Sequence, residues 1–226
     1  MKKIFTLSIL TLMSLFAMAD DQGTCGENLT WTFVESTGTL TISGTGPMDD
    51  YTLDTPWHTH EESILTVEVG EGATTIGMGA FILAYNMTSA SIPGTVTSIG
   101  EGAFSACATM TAINIPFSVQ SIDKEAFMGC LGLTTIIVEA TTPPTLGDDV
   151  FLQINDTAKI YVPAGTVDAY KSSWNDYADM IVESDPASNV SVLLQDPGEQ
   201  SSAPAKVIHN GQLLIDNYSV SGQRVK

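Results

Sequence analysis

Three consecutive segments read TVEVGEGATTIGMGAFILAYNMT (residues 66–88), SASIPGTVTSIGEGAFSACATMT (89–111) and AINIPFSVQSIDKEAFMGCLGLT (112–134). Aligned at a step of 23 residues, they place similar side chains in the same columns. Together with the start of the next segment, the columns are Val69, Ile92, Ile115 and Val138; Ile76, Ile99 and Ile122; Ala80, Ala103 and Ala126; Phe81, Phe104 and Phe127; and Met87, Met110 and Leu133. Agreement of several columns on one step indicates an internal repeat.

The repeat predicts a solenoid. A single coil cannot bury its own apolar edge, so equivalent apolar positions stack from coil to coil. The phenylalanine column would then form one internal ladder and the isoleucine column another. Gly77 and Gly100 directly follow the isoleucine column and predict a turn there, which Asp123 at the third position also tolerates.

One parallel strand per coil is predicted by four short segments of period-two patterning, at residues 66–69, 89–92, 112–115 and 135–138. The second and fourth residues of each segment should point inward, and the first and third outward. Pro93 and Pro116 follow two of these strands and are expected to end them. The four strands, stacked about 4.8 Å apart, would form one continuous parallel sheet.

The second segment carries Ile92-Pro93, Ser98-Ile99-Gly100, Ala103-Phe104 and Cys107. With this pattern the chain resembles the BspA-like, 23-residue leucine-rich repeats of bacterial cell-surface proteins. Residues 25–46 resemble the cap that precedes such repeats, and residues 161–171 the segment that closes them. The resemblance implies a β-rich, right-handed leucine-rich-repeat solenoid with an N-terminal β cap and a small C-terminal tail. It departs in the last coil, where residues 141–144 read TTPP and the step from Phe127 to Phe151 is 24 residues.

The chain is expected to have five parts. A positively charged start, an apolar run and the small-x-small site Ala17-Met18-Ala19 predict a signal peptide at residues 1–19. An N-terminal β cap is expected at 20–63, with a hairpin turn at Ser36-Thr37-Gly38, and the solenoid with its irregular last coil at 64–182. Within that last part, residues 159–162 predict a strand and 166–174 a short helix that begins at Thr166.

The remaining two parts are a linker at 183–205, rich in Ser, Pro, Asp, Gln and Gly, and a tail at 206–226. Asn210-Gly211 in the tail is a hairpin signal. The tail resembles the C-terminal sorting domains of some Gram-negative bacteria, and a small extra hairpin or a disordered tail is the alternative. Export to the cell surface, the outer membrane or the extracellular space of a Gram-negative bacterium is therefore expected.

The formal net charge is −18, because eight Lys and Arg stand against 26 Asp and Glu. Binding to a nucleic-acid backbone or to anionic lipid requires clustered cations, so both are excluded as functions. No segment beyond the signal peptide is predicted to cross a membrane. The chain is expected to be a monomer.

The outward columns of the strands are the predicted contact surface, with small polar side chains and without aromatic anchors. The candidate binding residues are Thr66, Glu68, Ser89, Ser91, Ala112, Asn114, Thr135 and Ile137. The family resemblance implies a partner among host or bacterial surface proteins, and a glycan is a second class of ligand. Two other functions stay open: an envelope or spacer protein without a ligand, and a hydrolase of surface glycans.

No catalytic set, cofactor motif or metal site is predicted. His58 and His60 would share one face of a strand, as zinc ligands do, but no third ligand has a recognisable spacing. The acidic pairs Asp49-Asp50 and Asp148-Asp149 match no calcium-binding motif. Cys107 and Cys130 occupy one column, where stacked coils could allow a disulfide; two buried thiols are the favoured interpretation.

Overall fold

A computed structural model describes residues 21–184 and three short strands between residues 206 and 219. The signal peptide expected at 1–19 lies outside the described residues, as does the expected linker from residue 185 onward. Short strands joined by turns are the main regular structure of the described part.

In chain order the strands are β1 (Asp21–Thr24), β2 (Leu29–Val34), β3 (Thr39–Gly44), β4 (Gly46–Pro47), β5 (Thr66–Val69), β6 (Ala73–Ile76), β7 (Ser89–Ser91), β8 (Ser98–Ile99), β9 (Ala112–Ile115), β10 (Ser121–Ile122), β11 (Thr135–Val138), β12 (Thr145–Leu146), β13 (Lys159–Val162), β14 (Ile181–Glu183), β15 (Lys206–His209), β16 (Gln212–Ile215) and β17 (Tyr218–Ser219). One α-helix, α1 (Val167–Ser173), and two 3₁₀ turns, His58–His60 and Asn175–Met180, complete the described elements.

The regular coils form a solenoid with two faces. Each coil contributes one strand to each face, and neighbouring coils run parallel. The strands predicted at 66–69, 112–115 and 135–138 are present, and the strand predicted at 89–92 ends at Ser91. The second face is the sheet β4-β6-β8-β10-β12, which the sequence did not predict. Its central strands end on the buried isoleucine column. Most of its strands are two residues long, which is too short to show a period-two pattern.

The N-terminal cap joins the solenoid by continuing its sheet. Strands β1, β2 and β3 are antiparallel, and the predicted hairpin turn is confirmed by the bond from Thr37 N–H to Val34 O and by the positive φ of Gly38. Strand β3 then pairs in parallel with β5, with Leu40 opposite Val67 and Ile42 opposite Val69. The cap therefore covers the apolar edge of the first coil with its own buried side chains.

The predicted phenylalanine ladder is confirmed, and it is longer than predicted. The ring centroids of Phe81 and Phe104 are 5.2 Å apart and those of Phe104 and Phe127 are 5.3 Å apart. Phe151 extends the ladder by one coil, 5.6 Å from Phe127. All these rings are buried, so the ladder forms the centre of the core.

A tryptophan closes the ladder at each end. The ring centroid of Trp57 lies 5.6 Å from that of Phe81, and that of Trp174 lies 6.2 Å from that of Phe151. Each buried indole N–H has an acceptor: Trp57 Nε1 donates to Ala80 O at 3.0 Å, and Trp174 Nε1 to Pro144 O at 2.8 Å. Tryptophan suits these positions because it covers a large apolar area and its N–H finds a backbone carbonyl.

The predicted short helix is confirmed as α1, but Thr166 does not cap it with its side chain. The Thr166 hydroxyl donates to Pro163 O at 2.7 Å, and no side-chain bond caps the first turn. On the buried side of the helix, the Tyr170 hydroxyl donates to Ala140 O at 2.6 Å. This bond ties the C-terminal closing segment to the last coil.

In the tail, β15 pairs antiparallel with β16, and β16 with β17. His209 stands opposite Gln212 in the first pair, as a hairpin between them requires. The predicted Asn210-Gly211 connection itself lies outside the described residues.

The prediction of one continuous parallel sheet on the first face is wrong. Within residues 21–184, no hydrogen-bonded pairing joins β7 to β9, so the sheet β1-β2-β3-β5-β7 ends there and β9-β11-β13-β14 forms another. Glu139, which follows β11, donates its N–H to Ile115 O at 3.0 Å. The same position one coil earlier is Pro116, which has no N–H to offer to Ile92 O. Proline therefore removes one bond here, but Pro93 removes the equivalent bond between β5 and β7, which stay paired, so proline alone does not divide the sheet.

A side chain bridges the coils near this break. The Thr109 hydroxyl lies 2.8 Å from Tyr85 O and 2.9 Å from Met87 O, so its single hydrogen is shared between two carbonyls of the preceding coil. The second sheet stays continuous past the same two coils, so the break is confined to one face.

The ladder should dominate the stability of the solenoid. We expect Phe104→Ala to lower the free energy of unfolding by about 3–5 kcal/mol, because it leaves a cavity between two stacked rings. Phe117→Ala, at an exposed phenylalanine, should change it by less than about 0.5 kcal/mol. Urea unfolding followed by circular dichroism measures both, and equal losses would contradict the importance given to the ladder.

Candidate functional site

The candidate site is the outward side of the first face. Of the predicted contact residues, Glu68, Ser89 and Ser91 are exposed, and the half-buried ones are Thr66, Ala112, Asn114 and Thr135. Strand register brings them into adjacent rows, with Thr66 beside Ser89, Glu68 beside Ser91, and Ala112 beside Thr135.

Ile137 does not offer the contact surface that was predicted for it. Its side chain is only 6% exposed. In the sheet it stands in register between Asn114 and Tyr161, which flank it on the two neighbouring strands. The alternation of the strand placed Ile137 on the correct side, but it contained no information on how far its neighbours cover it.

Side-chain hydrogen bonds order the centre of this face. Asn114 Nδ2 donates to Glu139 Oε1 at 2.8 Å. Among the described residues, Asn114 Oδ1 has no hydrogen-bond partner, although the atom is buried. A buried amide oxygen without a donor is costly, and within residues 21–184 only the bond through Nδ2 holds this amide in place.

A groove of about 550 Å³ lies where β5, β7 and β9 end. Its lining includes Ser91 and Asn114 from the predicted face, and Glu71, Phe117 and Glu139 from the turns that follow the strands. The groove therefore begins on the predicted surface and continues beyond the strands into turn residues.

Phe117 is the functional candidate that the sequence analysis missed. Its side chain is 68% exposed, and it lies just beyond the strand columns, whose predicted contact positions carry no aromatic residue. A Cβ atom placed on Gly94 would lie 3.6 Å from Phe117 Cε1, so the ring lies over this glycine of the preceding coil. Phe117 comes after Pro116, beyond the strand positions to which the period-two pattern applies. The available signal was a phenylalanine in a column otherwise occupied by Glu71, Gly94 and Ala140.

A second groove of about 500 Å³ lies on the other side of Phe117. Phe117 and Glu139 line both grooves, and residues 141–144 form the far wall of the second one. Phe117 is thus a ridge between two depressions, a shape that a partner can contact from both sides.

The surroundings of the grooves are negative. Between residues 21 and 184 the only cationic Lys or Arg side chains are Lys124, Lys159 and Lys171. None of the three lines either groove. The carboxylates of Glu71 and Glu139 therefore have no lysine or arginine beside them in the lining.

The two neighbouring histidines lie on a 3₁₀ turn and not on a strand. His60 Nε2 is 3.0 Å from Asp21 Oδ2, and its ring stacks on Phe33 with centroids 4.4 Å apart. The hydrogen bond with His60 lowers the pKa of the Asp21 carboxyl. His58 Nδ1 is 3.0 Å from Thr55 O. These contacts give His60 a structural part in holding β1 to the cap.

In the described part of the chain, no group of three or more His, Cys, Asp or Glu side chains is placed to hold a metal ion. Where an aspartate of the acidic pairs has a hydrogen-bond partner, the bond holds neighbouring backbone together. Asp50 Oδ1, for example, accepts the N–H of Met78 at 2.8 Å and so ties the cap to the first coil.

The prediction of two buried thiols is confirmed. Cys107 Sγ lies 3.2 Å from Phe81 O, and Cys130 Sγ 3.1 Å from Phe104 O, so each thiol donates to the coil before it. Burial raises the pKa of Cys107 well above its ordinary value, and the neighbouring thiol of Cys130 adds to the effect. Cys25 is also free and buried, and burial raises its pKa to about 12.

These thiols should be unreactive in the folded protein. At pH 8 we expect Ellman's reagent to react at least about a hundredfold more slowly with the native chain than with the chain in denaturant, where three thiols should titrate. Ser91→Cys adds an exposed thiol and should react at once, which controls for the reagent. Fewer than three thiols in denaturant would indicate a disulfide, and fast native reaction would contradict their burial.

Residues 74–180 match the family model of the BspA type leucine rich repeat region, in six copies. The match continues beyond the three regular segments through the irregular last coil. No curated protein matches the chain. In the described residues, no helix has the length and apolar character that crossing a membrane requires.

Several solved structures are similar to the chain. A leucine-rich repeat protein from Eubacterium ventriosum is 25% identical with a TM-score of 0.49, and the alignment covers 65% of this chain and 45% of that one. One from Bacteroides ovatus is 22% identical with a TM-score of 0.42, covering 55% and 31%. A leucine rich cell surface protein from Faecalibacterium prausnitzii is 13% identical with a TM-score of 0.34, covering 91% and 60%.

The chain thus spans less than half the length of the first two of these proteins. The family match, the repeat columns and the stacked parallel coils agree with one another. Residues 74–180 of this chain therefore form a BspA-type leucine-rich repeat region.

Proposed function

We propose that the chain is a protein-binding module of the bacterial cell surface. It contacts its partner through the outward side of the first face and the grooves beside it. The observation that carries the proposal is the exposed ring of Phe117 between two grooves. Large aromatic side chains at the centre of a contact contribute most to binding between proteins.

The solenoid makes the exposure of Phe117 informative. Every phenylalanine of the ladder is buried, because stacking removes it from water. Leaving a phenylalanine exposed forgoes roughly 1.5–3 kcal/mol of burial. Phe117 can gain this free energy of burial when a partner covers its ring.

The contact residues proposed around this anchor are polar and small. They are Thr66, Glu68, Ser89, Ser91, Ala112, Asn114 and Thr135, without the buried Ile137. Such residues give shape and hydrogen-bond complementarity around an aromatic anchor, and they keep the free surface soluble.

The proposal assigns binding, and no catalysis, to the chain as a monomer. Neither lining contains a histidine or a cysteine, and Ser91 in the first groove has no histidine beside it among the lining residues to act as a base. The proposed location outside the cell rests on the signal-peptide pattern of residues 1–19, the sorting-like sequence of 206–226 and the family resemblance. The organism proposed to export the protein is a Gram-negative bacterium.

The test presents the purified full chain to surface-protein extracts of bacterial and host cells, and identifies retained proteins by mass spectrometry. Binding of each purified partner is then measured by interferometry. We expect Glu68→Ala and Asn114→Ala to weaken binding about fivefold or more, because both side chains lie on the contact face.

Leu131→Ala is the control variant, since this side chain is 61% exposed but lines neither groove. It should leave Kd within about twofold. Unchanged binding of every partner to the two face variants contradicts the proposal and favours a spacer. Retention of polysaccharides without any protein favours the glycan alternative.

A further inference from the structure

We propose that the groove between Glu71 and Glu139 receives an arginine side chain of the partner protein. This inference rests on the proposed function, and it adds the chemistry of the residue that is bound. The groove is rich in hydrogen-bond acceptors, poor in donors, and closed on one side by an aromatic ring.

Proline makes the backbone of the groove a surface of acceptors. At the position after the strand, Gly70 donates its N–H to Ile42 O at 2.9 Å, as Glu139 does to Ile115 O. The two coils between them carry Pro93 and Pro116, which have no N–H. The carbonyls of Val69 and Ile92 therefore lack the backbone donor that Gly70 and Glu139 supply at the same position of their coils, and both residues line the groove.

The side chains add acceptors of the same kind. Glu71 and Glu139 bring carboxylates, and the amide nitrogen of Asn114 is already used in its bond to Glu139. Asn114 Oδ1 is buried and does not itself meet a ligand, so the Asn114 amide senses a bound cation through its bond to Glu139. A ligand that satisfies this groove must bring several N–H donors and a positive charge.

The aromatic wall selects arginine over lysine. The ring of Phe117 lies over Gly94, where a Cβ atom would be 3.6 Å from Phe117 Cε1. Because glycine has no side chain, the edge of the ring beside it stays open to a ligand. A planar guanidinium stacks on an aromatic face and still offers five donors in its plane. A lysine ammonium carries three donors at one point and keeps its hydration more strongly.

An organic cation fits better than a metal ion. Two carboxylates are the only acidic side chains in the lining of this groove. In the described part of the chain, no group of three potential ligands is placed to coordinate a metal. Backbone carbonyls at fixed positions and a ring are partners for a guanidinium.

The test titrates full-length protein, labelled with ¹⁵N, with the peptide acetyl-GLRLG-amide. Matched peptides carry citrulline or lysine in place of arginine; citrulline has the same shape as arginine but no charge. The readout is the side-chain amide signal of Asn114, identified by its absence in Asn114→Ala. We expect this signal to shift, and the arginine peptide to bind about tenfold more tightly than the citrulline peptide and more tightly than the lysine peptide.

Two variants locate the binding. Glu139→Gln keeps an oxygen for the Asn114 bond but removes the charge, and it should weaken the arginine peptide about fivefold or more. Glu101→Gln removes the same charge outside both grooves and should change Kd by less than about twofold. Phe117→Leu, which keeps an apolar side chain, should reduce the preference for arginine over lysine.

Several results would overturn the inference. They are equal binding of the citrulline peptide, equal effects of Glu139→Gln and Glu101→Gln, an Asn114 signal that does not move, and displacement of the peptide by millimolar calcium chloride. A surface protein whose binding is lost in Asn114→Ala but unchanged in Glu139→Gln would also overturn it and would leave the proposed function standing. Failure of every surface protein to bind, with the peptide still bound, would instead contradict the proposed function.

Discussion

The stacking of one aromatic ring per coil is the interaction on which the rest of this structure depends. From Trp57 to Phe151 the neighbouring ring centroids are 5.2 to 5.6 Å apart, close to the spacing of stacked strands. Because each ring fixes the position of the next coil, residues 23 positions apart become neighbours on every face. Residues at equivalent positions of adjacent coils therefore lie side by side on the surface. The grooves beside Phe117 are lined by such neighbours from successive coils.

The part of the fold that was predictable from the sequence is the part repeated in large apolar side chains. Phe81, Phe104 and Phe127 recur at a strict step, so their burial and mutual contact followed from the period alone. The second parallel sheet was not predicted because its two-residue strands show no alternation. The division between β7 and β9 was not predicted either, since the period-two pattern continues through both segments.

The candidate site was predictable in its strand positions and not in its turns. Ser91 and Asn114 followed from period-two patterning, and they line the groove. Phe117 was missed because it lies after Pro116, where the periodic argument ends, and Ile137 was overestimated because burial depends on the neighbours in register. Function here arises from the departures from the repeat: two prolines that remove donors, a glycine that leaves space, and a phenylalanine that remains exposed.

The most direct test of this account is site-specific photocrosslinking at position 117. The full chain, with benzoylphenylalanine in place of Phe117, is irradiated with surface-protein extracts in the presence of either the arginine peptide or the citrulline peptide. The account predicts adducts from position 117 that the arginine peptide suppresses and the citrulline peptide does not, and few adducts from the same probe at the exposed Leu131. Equal adducts from the two positions, or no suppression by the arginine peptide, would contradict it.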